Sequence, residues 1–413
     1  MKGENGKMKS DMEQTEIEAP YELPEGWKWV QQNEVCKLTD GEKRTGTEFP
    51  YLEVKYLRGK KEKDFVSTGK FIKAGTKVIL VDGENSGEVF TVPEDGFMGS
   101  TFKALEISNV NENYLQYFIH TKKDLYRNNK KGSAIPHLDK KLFFTMPFPL
   151  PPTLAEQQRI VNRIESMLAK LDEAKEKAQN VVDGFETRKA AILHKAFTGE
   201  LTAKWRKENG VSDDSWVEKL FDSCIAKMQN GLSKRSGNEG EETVVLRLAN
   251  MGEDDFDVSD LRTIKLTSKE KNNYSLAKND VVMIRVNGSK TNVGRQLLVK
   301  NNKGWSFCDH IIRIQFEVFC LPNYMVYFSK TKEYIDYVQD NMVSSAGQNT
   351  ISRKGLSNLS LKVPTLPEQV EIVRILDIII EKENKAKQAA EAVLEQIDLL
   401  KKSILARAFR GEL

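Results

Sequence analysis

Pro152-Thr153-Leu154-Ala155-Glu156-Gln157 and Pro364-Thr365-Leu366-Pro367-Glu368-Gln369 open two segments that also end alike. The closings are Ala196-Phe197-Thr198-Gly199-Glu200-Leu201 and Ala408-Phe409-Arg410-Gly411-Glu412-Leu413. The copies lie 212 positions apart without a gap, and about 20 of their 50 residues are identical. A constant offset divides the chain into variable block, repeat, variable block, repeat. A solenoid needs more units than two, so the repeat indicates a duplicated, pseudo-twofold molecule.

Each copy reads as a long helix. Val161, Ile164, Leu168, Leu171, Ala178, Val182, Phe185, Ile192 and Ala196 recur at steps of three and four. The offset carries this stripe onto Val373, Leu376, Ile380, Ala390, Leu394, Ile397, Ile404 and Ala408. An apolar heptad seam flanked by charge belongs to a helix paired with another helix. Lys175 and Lys387 interrupt both seams at one position, Lys189 and Lys401 at another. Thr153 and Thr365 stand where N-caps belong, and Gly199 and Gly411 where left-handed C-caps belong. Leu154 to Phe197 would extend roughly 65 Å as unbroken helix. Gly184, replaced by Gln396 in the second copy, is a place for the first helix to weaken or bend.

The chain has 413 residues, 39% hydrophobic and 30% charged, enough for roughly two to three domains. A net charge of +3 means that any nucleic-acid footprint must be local. The polar start, Met1 through Glu18, does not resemble a signal peptide. No apolar run approaches a membrane span. Cys36, Cys224, Cys308 and Cys320 lack CxxC spacing, so reduced cytoplasmic thiols are expected and a structural zinc site is not.

The variable blocks share a plan with little sequence in common. Trp27 and Trp29 begin one, Trp216 the other, and short β-branched runs broken by Gly, Asn and Asp follow, as in mixed sheets. A strand-and-loop unit recurs: Gly75–Gly87, with Asn85 and Ser86, and Asn279–Arg295, with Arg285, Asn287, Ser289, Lys290 and Arg295. An amphipathic aromatic helix follows in each, Tyr114…Tyr126 and Tyr324…Tyr337, whose spacing makes its rings mainly core residues. Small polar stretches lead back to the repeats: Gly132–Leu138, with Ser133 and His137, and Ser344–Arg353, with Gln348, Asn349 and Arg353. Such loops approach a duplex closely and donate to phosphates and base edges. Basic residues gather at Lys55, Arg58 and Lys60, at Lys122, Lys123 and Arg127, and at Lys234-Arg235.

Catalytic patterns are missing. No Asn-Pro-Pro or Asp-Pro-Pro aromatic motif for adenine methylation is present, and Gly288-Ser289-Lys290-Thr291 lacks the earlier glycine of a phosphate loop. His120, His137, His194 and His310 have neither metal spacing nor a paired nucleophile.

With these residues in view the chain resembles the specificity subunit of type I restriction–modification systems. The resemblance spans nearly the whole chain. It rests on Leu23-Pro24-Glu25-Gly26-Trp27, the two Pro-x-Leu-x-Glu-Gln openings and the two Ala-Phe-x-Gly-Glu-Leu closings. Thr202-Ala203-Lys204-Trp205-Arg206 and the loops at Asn287–Ser289 and Gly347–Ser352 add to it. The second closing is not followed by such a Trp-Arg stretch, a departure from the family pattern.

The resemblance implies an α+β fold with two mixed α/β target recognition domains. These alternate with two long helices paired as an antiparallel coiled coil. The expected divisions are a polar tail 1–19, domains at 20–151 and 202–363, and helical regions at 152–201 and 364–413. The implied function is non-catalytic reading of a bipartite, asymmetric site in double-stranded DNA. Two methyltransferase subunits and, through them, motor-nuclease subunits would be recruited in the cytoplasm. S-adenosylmethionine, ATP and magnesium would belong to those subunits, with no cofactor in this chain. DNA contact would fall to Lys55, Arg58, Lys60, Asn85, Ser86, Ser133, His137, Lys234, Arg235, Arg285, Asn287, Ser289, Lys290, Arg295, Gln348, Asn349 and Arg353. The competing reading is a coiled-coil protein adaptor without DNA readout.

Overall fold

A computed structural model describes residues 19–131 and 136–413. The helices that matter below are α1 (Glu112–Thr121), α2 (Leu154–Asp183), α3 (Phe185–Phe197), α4 (Ala203–Asn209), α5 (Pro322–Phe328) and α6 (Leu366–Phe409). The chain divides into two compact units. Unit 1 joins the described residues up to 179 to 392–413, and unit 2 is residues 180–391. The division thus cuts through both repeats, so each unit holds one variable block and a piece of each long helix. No helix among the described residues is long and apolar enough to cross a membrane.

The two blocks repeat one topology. In unit 1 a four-stranded antiparallel sheet runs in the order Cys36–Thr39, Phe102–Ile107, Lys77–Leu80, Val89–Thr91. In unit 2 the order is Ile225–Asn230, Ile311–Phe316, Val281–Ile284, Gln296–Leu298. Val281 to Ile284 are all buried, so this inner strand is an unbroken apolar run rather than an alternating one. Each block also closes on itself. Lys28–Gln31 pairs antiparallel with Pro147–Leu150, and Val217–Leu220 with Ser360–Val363. First and last strands of a block are therefore neighbours, which lets an entire block sit between repeats without disturbing them.

The aromatic helices pack on the repeats by one recipe. Tyr114 and Phe118 of α1 meet Phe409 at 5.0 and 5.4 Å between ring centroids, tilted and edge-on. Tyr324 and Phe328 of α5 meet Phe197, the repeat partner of Phe409, at 5.0 and 5.5 Å. Each sequence-predicted aromatic helix is in fact two, broken at Lys122 and at Ser329–Thr331. The second piece starts afresh, with the Thr331 side chain capping it at Tyr334 N. Tyr126 and Tyr334 on these second pieces are buried, so the expectation of core rings holds.

The repeated Gln of each opening joins helix to block. Gln157 Oε1 accepts from Asn111 N at 2.7 Å, and its Nε2 donates to Pro151 O at 3.3 Å. Gln369 Oε1 accepts from Leu321 N at 2.7 Å, and its Nε2 donates to Pro364 O at 2.9 Å. Both side chains are almost fully buried, and their bonded partners offset the cost of removing an amide from water.

Within each unit the two repeat helices run in opposite directions. In unit 1 Asp172 of α2 takes a salt bridge from Lys401 of α6 at 2.5 Å, and Ile160, Val161 and Ile164 share a core with Leu405 and Ala408. In unit 2 Lys387 lies 4.8 Å from the Phe185 ring, and Glu383 binds Arg188 at 2.8 Å. Numbers rise along one helix as they fall along the other. Of the predicted seam, Val161, Ile164, Phe185, Val373, Leu376, Ile380, Ile397 and Ile404 are buried, while Leu168, Leu171, Val182, Ile192 and Leu394 are partly so. A second buried stripe, Ile160 with Ile372 and Leu193 with Leu405, keeps the same offset and faces the variable blocks. Gly184 divides α2 from α3 with φ −78° and ψ −7°, close to helical, and Arg188 folds over it to reach Val181 O at 2.9 Å. The copy with Gln396 is one helix of 44 residues.

Candidate nucleic-acid interface

The loops named from sequence come together in unit 2 as one small sheet. Val286–Asn287 pairs with Gln348–Thr350, which pairs with Val343–Ser345. The connecting turn has Ala346 at φ 48° and Gly347 at φ 78°. Positive φ at both central positions is the two-residue hairpin geometry that matches strand twist. Gly288 lies against the tip of this turn, 3.7 Å from Gly347 O to where its Cβ would stand. Ser289, Lys290 and Gln348 are exposed around it.

Asn349 has a different task from the one expected. It is 6% exposed, donates to Gly288 O at 2.9 Å and accepts from Ser344 Oγ at 2.6 Å. Its amide therefore fastens loop to hairpin and has no free edge for a base. Asn287 Oδ1 is likewise used, accepting from Ser289 N at 2.8 Å.

Unit 1 carries the same junction in outline. His137 bridges to Asp82, with Nδ1 2.6 Å from Asp82 Oδ1, and Gly83 N donates to Pro136 O at 2.7 Å. Leu138 N donates to Val81 O at 2.8 Å, as Ile351 N does to Arg285 O at 3.0 Å in unit 2. His137 remains exposed and Asn85 half-buried. Ser86 is fully buried, so it presents nothing to a duplex, a correction to the reading from sequence. Ser133 lies outside the described residues.

The predicted cations divide by what they touch. Lys55, Lys60 and Lys290 are exposed. Arg58 pairs with Glu88, Lys234 with Glu270 at 2.9 Å, Arg235 with Asp309 at 2.8 Å and Arg353 with Asp222 at 2.6 Å. Partly exposed pairs of this kind are worth about 0–1 kcal/mol, so a phosphate exchanges for the carboxylate at little cost. Arg285 reaches Asp309 O at 3.4 Å. Arg295 is the second correction. Its Nη2 donates to Met251 O at 3.1 Å and its Nε is buried, so the side chain covers its own domain.

Sequence reading missed Arg247, Arg262 and His310. With Lys234 and Arg235 they line a cavity of about 240 Å³ floored by apolar side chains such as Val245 and Ile264. His310 O accepts from Arg285 N and Val286 N, which puts this cavity beside the loop sheet. These basic residues are scattered over several elements, so no local run announced them. Cys308, Asp309 and His310 place one donor atom each within 4.8 Å of one another, but the Asp309 carboxylate is held by Arg235. All four cysteines are buried free thiols, and desolvation pushes Cys36 up to about 12, far from a reactive thiolate.

Residues 24–182 and 224–396 match the family model described as the type I restriction modification DNA specificity domain. The specificity subunit of the StySPI type I restriction enzyme of Salmonella potsdam is 33% identical over 74% of this chain and 66% of its own length. That of EcoKI from Escherichia coli (strain K12) is 30% identical over 71% of this chain and 64% of its own. Both alignments thus span just under two thirds of the relative. The MjaVIII specificity subunit of Methanocaldococcus jannaschii is 25% identical over 95% of this chain and 94% of its own length. In fold, the chain is similar to the HsdS subunit from Thermoanaerobacter tengcongensis, with a TM-score of 0.64 and 20% identity over 96% of this chain and 100% of that one. It is also similar to a chain solved in a study of complex assembly of the type I R-M system, with a TM-score of 0.65 and 19% identity over 95% and 100%.

Proposed function

Because the chain belongs to the type I restriction modification DNA specificity family, we propose that it is the non-catalytic DNA reader of such a system. Each variable block reads one half of a bipartite, asymmetric site in double-stranded DNA. The repeat helices recruit two methyltransferase subunits, and motor-nuclease subunits join through these. Methylation, ATP use and cleavage, with S-adenosylmethionine, ATP and magnesium, belong to the partners.

The observation that carries this reading is the duplicated loop junction, Asp82 with His137 and Asn287 with Asn349, at the same place in both blocks. Two different readers on a repeated frame suit a two-part target and two copies of one partner. In unit 2 the exposed Ser289, Lys290 and Gln348 reach bases and phosphates, while Asn287 and Asn349 hold the platform. Lys55, Arg58, Lys60, Asn85 and His137 serve unit 1, and Lys234, Arg235, Arg285 and Arg353 position unit 2 on phosphates.

Filter binding with random duplex and with the methylated target, each with and without a methyltransferase partner, tests the reading. Tighter binding of the cognate duplex by the complex is expected. Equal affinity for both duplexes would leave the chain a protein adaptor.

A further inference from the structure

In unit 2 a groove beside the repeat helix is already filled. It lies between the turn after α5 and the start of α3, and the loop Met251–Asp255 occupies it. Asp254 accepts a hydrogen bond from Lys330 and lies 3.9 Å from Lys189 Nζ, with Glu253 at 3.6 Å. Lys189 is only 8% exposed, and the carboxylates beside its ammonium remain open to solvent.

The repeat identifies the matching place in unit 1. Lys189 corresponds to Lys401, and the ring triad Phe197, Tyr324 and Phe328 corresponds to Phe409, Tyr114 and Phe118. There a cavity of about 660 Å³ stands open between the turn after α1 and the end of α6. Lys122, Lys123, Arg127, Lys401, Lys402 and Arg410 line it, against the carboxylates of Asp124 and Asp398. A second cavity of about 300 Å³ adjoins it and shares His120, Lys123, Lys401 and Leu405. Lys401 is held by Asp172 at 2.5 Å and Lys402 lies 3.8 Å from Asp124, yet Lys122, Lys123, Arg127 and Arg410 still give this lining more cations than carboxylates.

We propose that this groove is a docking site for an acidic peptide segment, and that its occupant is the run Asp11-Met12-Glu13-Gln14-Thr15-Glu16-Ile17-Glu18 of the same chain. Charge complementarity is the first argument: the run has four carboxylates and no cation. Connectivity is the second. Residues 1–18 lie outside the described residues, and Tyr21, three positions after Glu18, already lines the groove. The Tyr21 hydroxyl donates to Phe409 O at 2.9 Å, and Arg410 lies 5.6 Å from its ring. A short tether of this kind gives an effective concentration on the order of mM. The filled groove of unit 2 favours carboxylate over phosphate, since the molecule itself closes that position with Glu253 and Asp254.

Carbodiimide coupling of the full chain without DNA tests this, because the reagent joins a carboxylate to a nearby lysine as an amide. Amides between residues 11–18 and Lys122, Lys123, Lys401 or Lys402 are expected in peptide mapping. Their yield should fall several-fold at 1 M salt, where the screening length is about 3 Å. The hydrogen-bonded Lys330–Asp254 pair is the internal control. If that link forms while residues 11–18 couple elsewhere or not at all, the proposal fails. A second arm uses a chain with Asp11→Asn, Glu13→Gln, Glu16→Gln and Glu18→Gln. A labelled peptide of residues 9–20 should bind this variant several-fold more tightly than the unchanged chain, whose own segment holds the groove. Equal binding would overturn the proposal. Neither arm involves DNA, so both stand apart from the reading of sequence.

Discussion

At the residue scale, two basic residues of one strand-and-loop unit have opposite duties, and burial separates them. Lys290 is exposed on the loop sheet, whereas Arg295 is spent on Met251 O. Lys290→Ala is therefore expected to lower the log–log salt slope of DNA binding by about 0.9, and Arg295→Ala to leave it unchanged. Parallel titrations of both variants decide this; an equal drop for both would mean that Arg295 leaves its domain on binding. A second case is Glu368, fully buried in unit 2. It accepts from Arg206 Nη1 at 2.6 Å, Thr202 Oγ1 at 2.7 Å and Trp216 Nε1 at 3.1 Å. This network gives the Thr202–Arg206 stretch on and before α4 its purpose, to seal the start of the second repeat. Arg206→Met leaves the carboxylate unpaired and should cost about 3–5 kcal/mol in denaturant unfolding. Adding Glu368→Gln should restore part of it, and a loss below about 1 kcal/mol would mean that the network does not hold this end of the fold. His120 gives a pH signature. Burial holds its imidazole below the ordinary 6.5 in the folded chain, so below that pH the unfolded chain binds more protons. Stability should thus be complete above pH 6.5 and decline as pH falls through it. His120→Gln should flatten that decline in thermal melts taken from pH 7.5 to 5.5, and an unaltered slope would assign it to other groups.

At the scale of elements, the long helices were the most legible part of the chain. Their heptad stripe, caps and offset are local properties. The left-handed φ of 84° at Gly199 and 74° at Gly411 is what a terminal glycine is for. The second stripe, Ile160 and Leu193 with their repeat partners, was harder to see because each of its residues is next in sequence to a seam position, so it widens the seam instead of forming a separate pattern. If the helices space the two readers, one heptad added to each keeps the seam in phase and lengthens each by about 10 Å. That is near three base-pair steps of about 3.4 Å, so the unspecified gap in the target should grow by about three base pairs. A methylome of cells with the lengthened chain reports the gap directly. An unchanged gap would put the spacing under the control of the methyltransferase subunits.

At the scale of the whole molecule, the duplication predicts that the blocks can be exchanged. Each block begins and ends on adjacent strands, Lys28 opposite Leu150 and Val217 opposite Val363, so it can be replaced without reworking a repeat. Replacing residues 205–363 with the second block of another family member should change one half of the methylated target and leave the other as it was. A change in both halves would contradict two independent readers. The sequence by itself determined the duplication, the helices, their seams, the places of the loops and the aromatic cores. The duplication shows in the constant 212-residue offset, and the rest depend on periodicity, caps and turn residues, which act between near neighbours. Which loop residues are free to meet a partner was decided only in the tertiary structure. Asn349, Ser86 and Arg295 read as candidates in sequence, yet each is committed or enclosed by residues far along the chain, and Arg247, Arg262 and His310 become neighbours only through the sheet. Exposure and pairing depend on which distant side chains fold against a residue, and no local pattern records that.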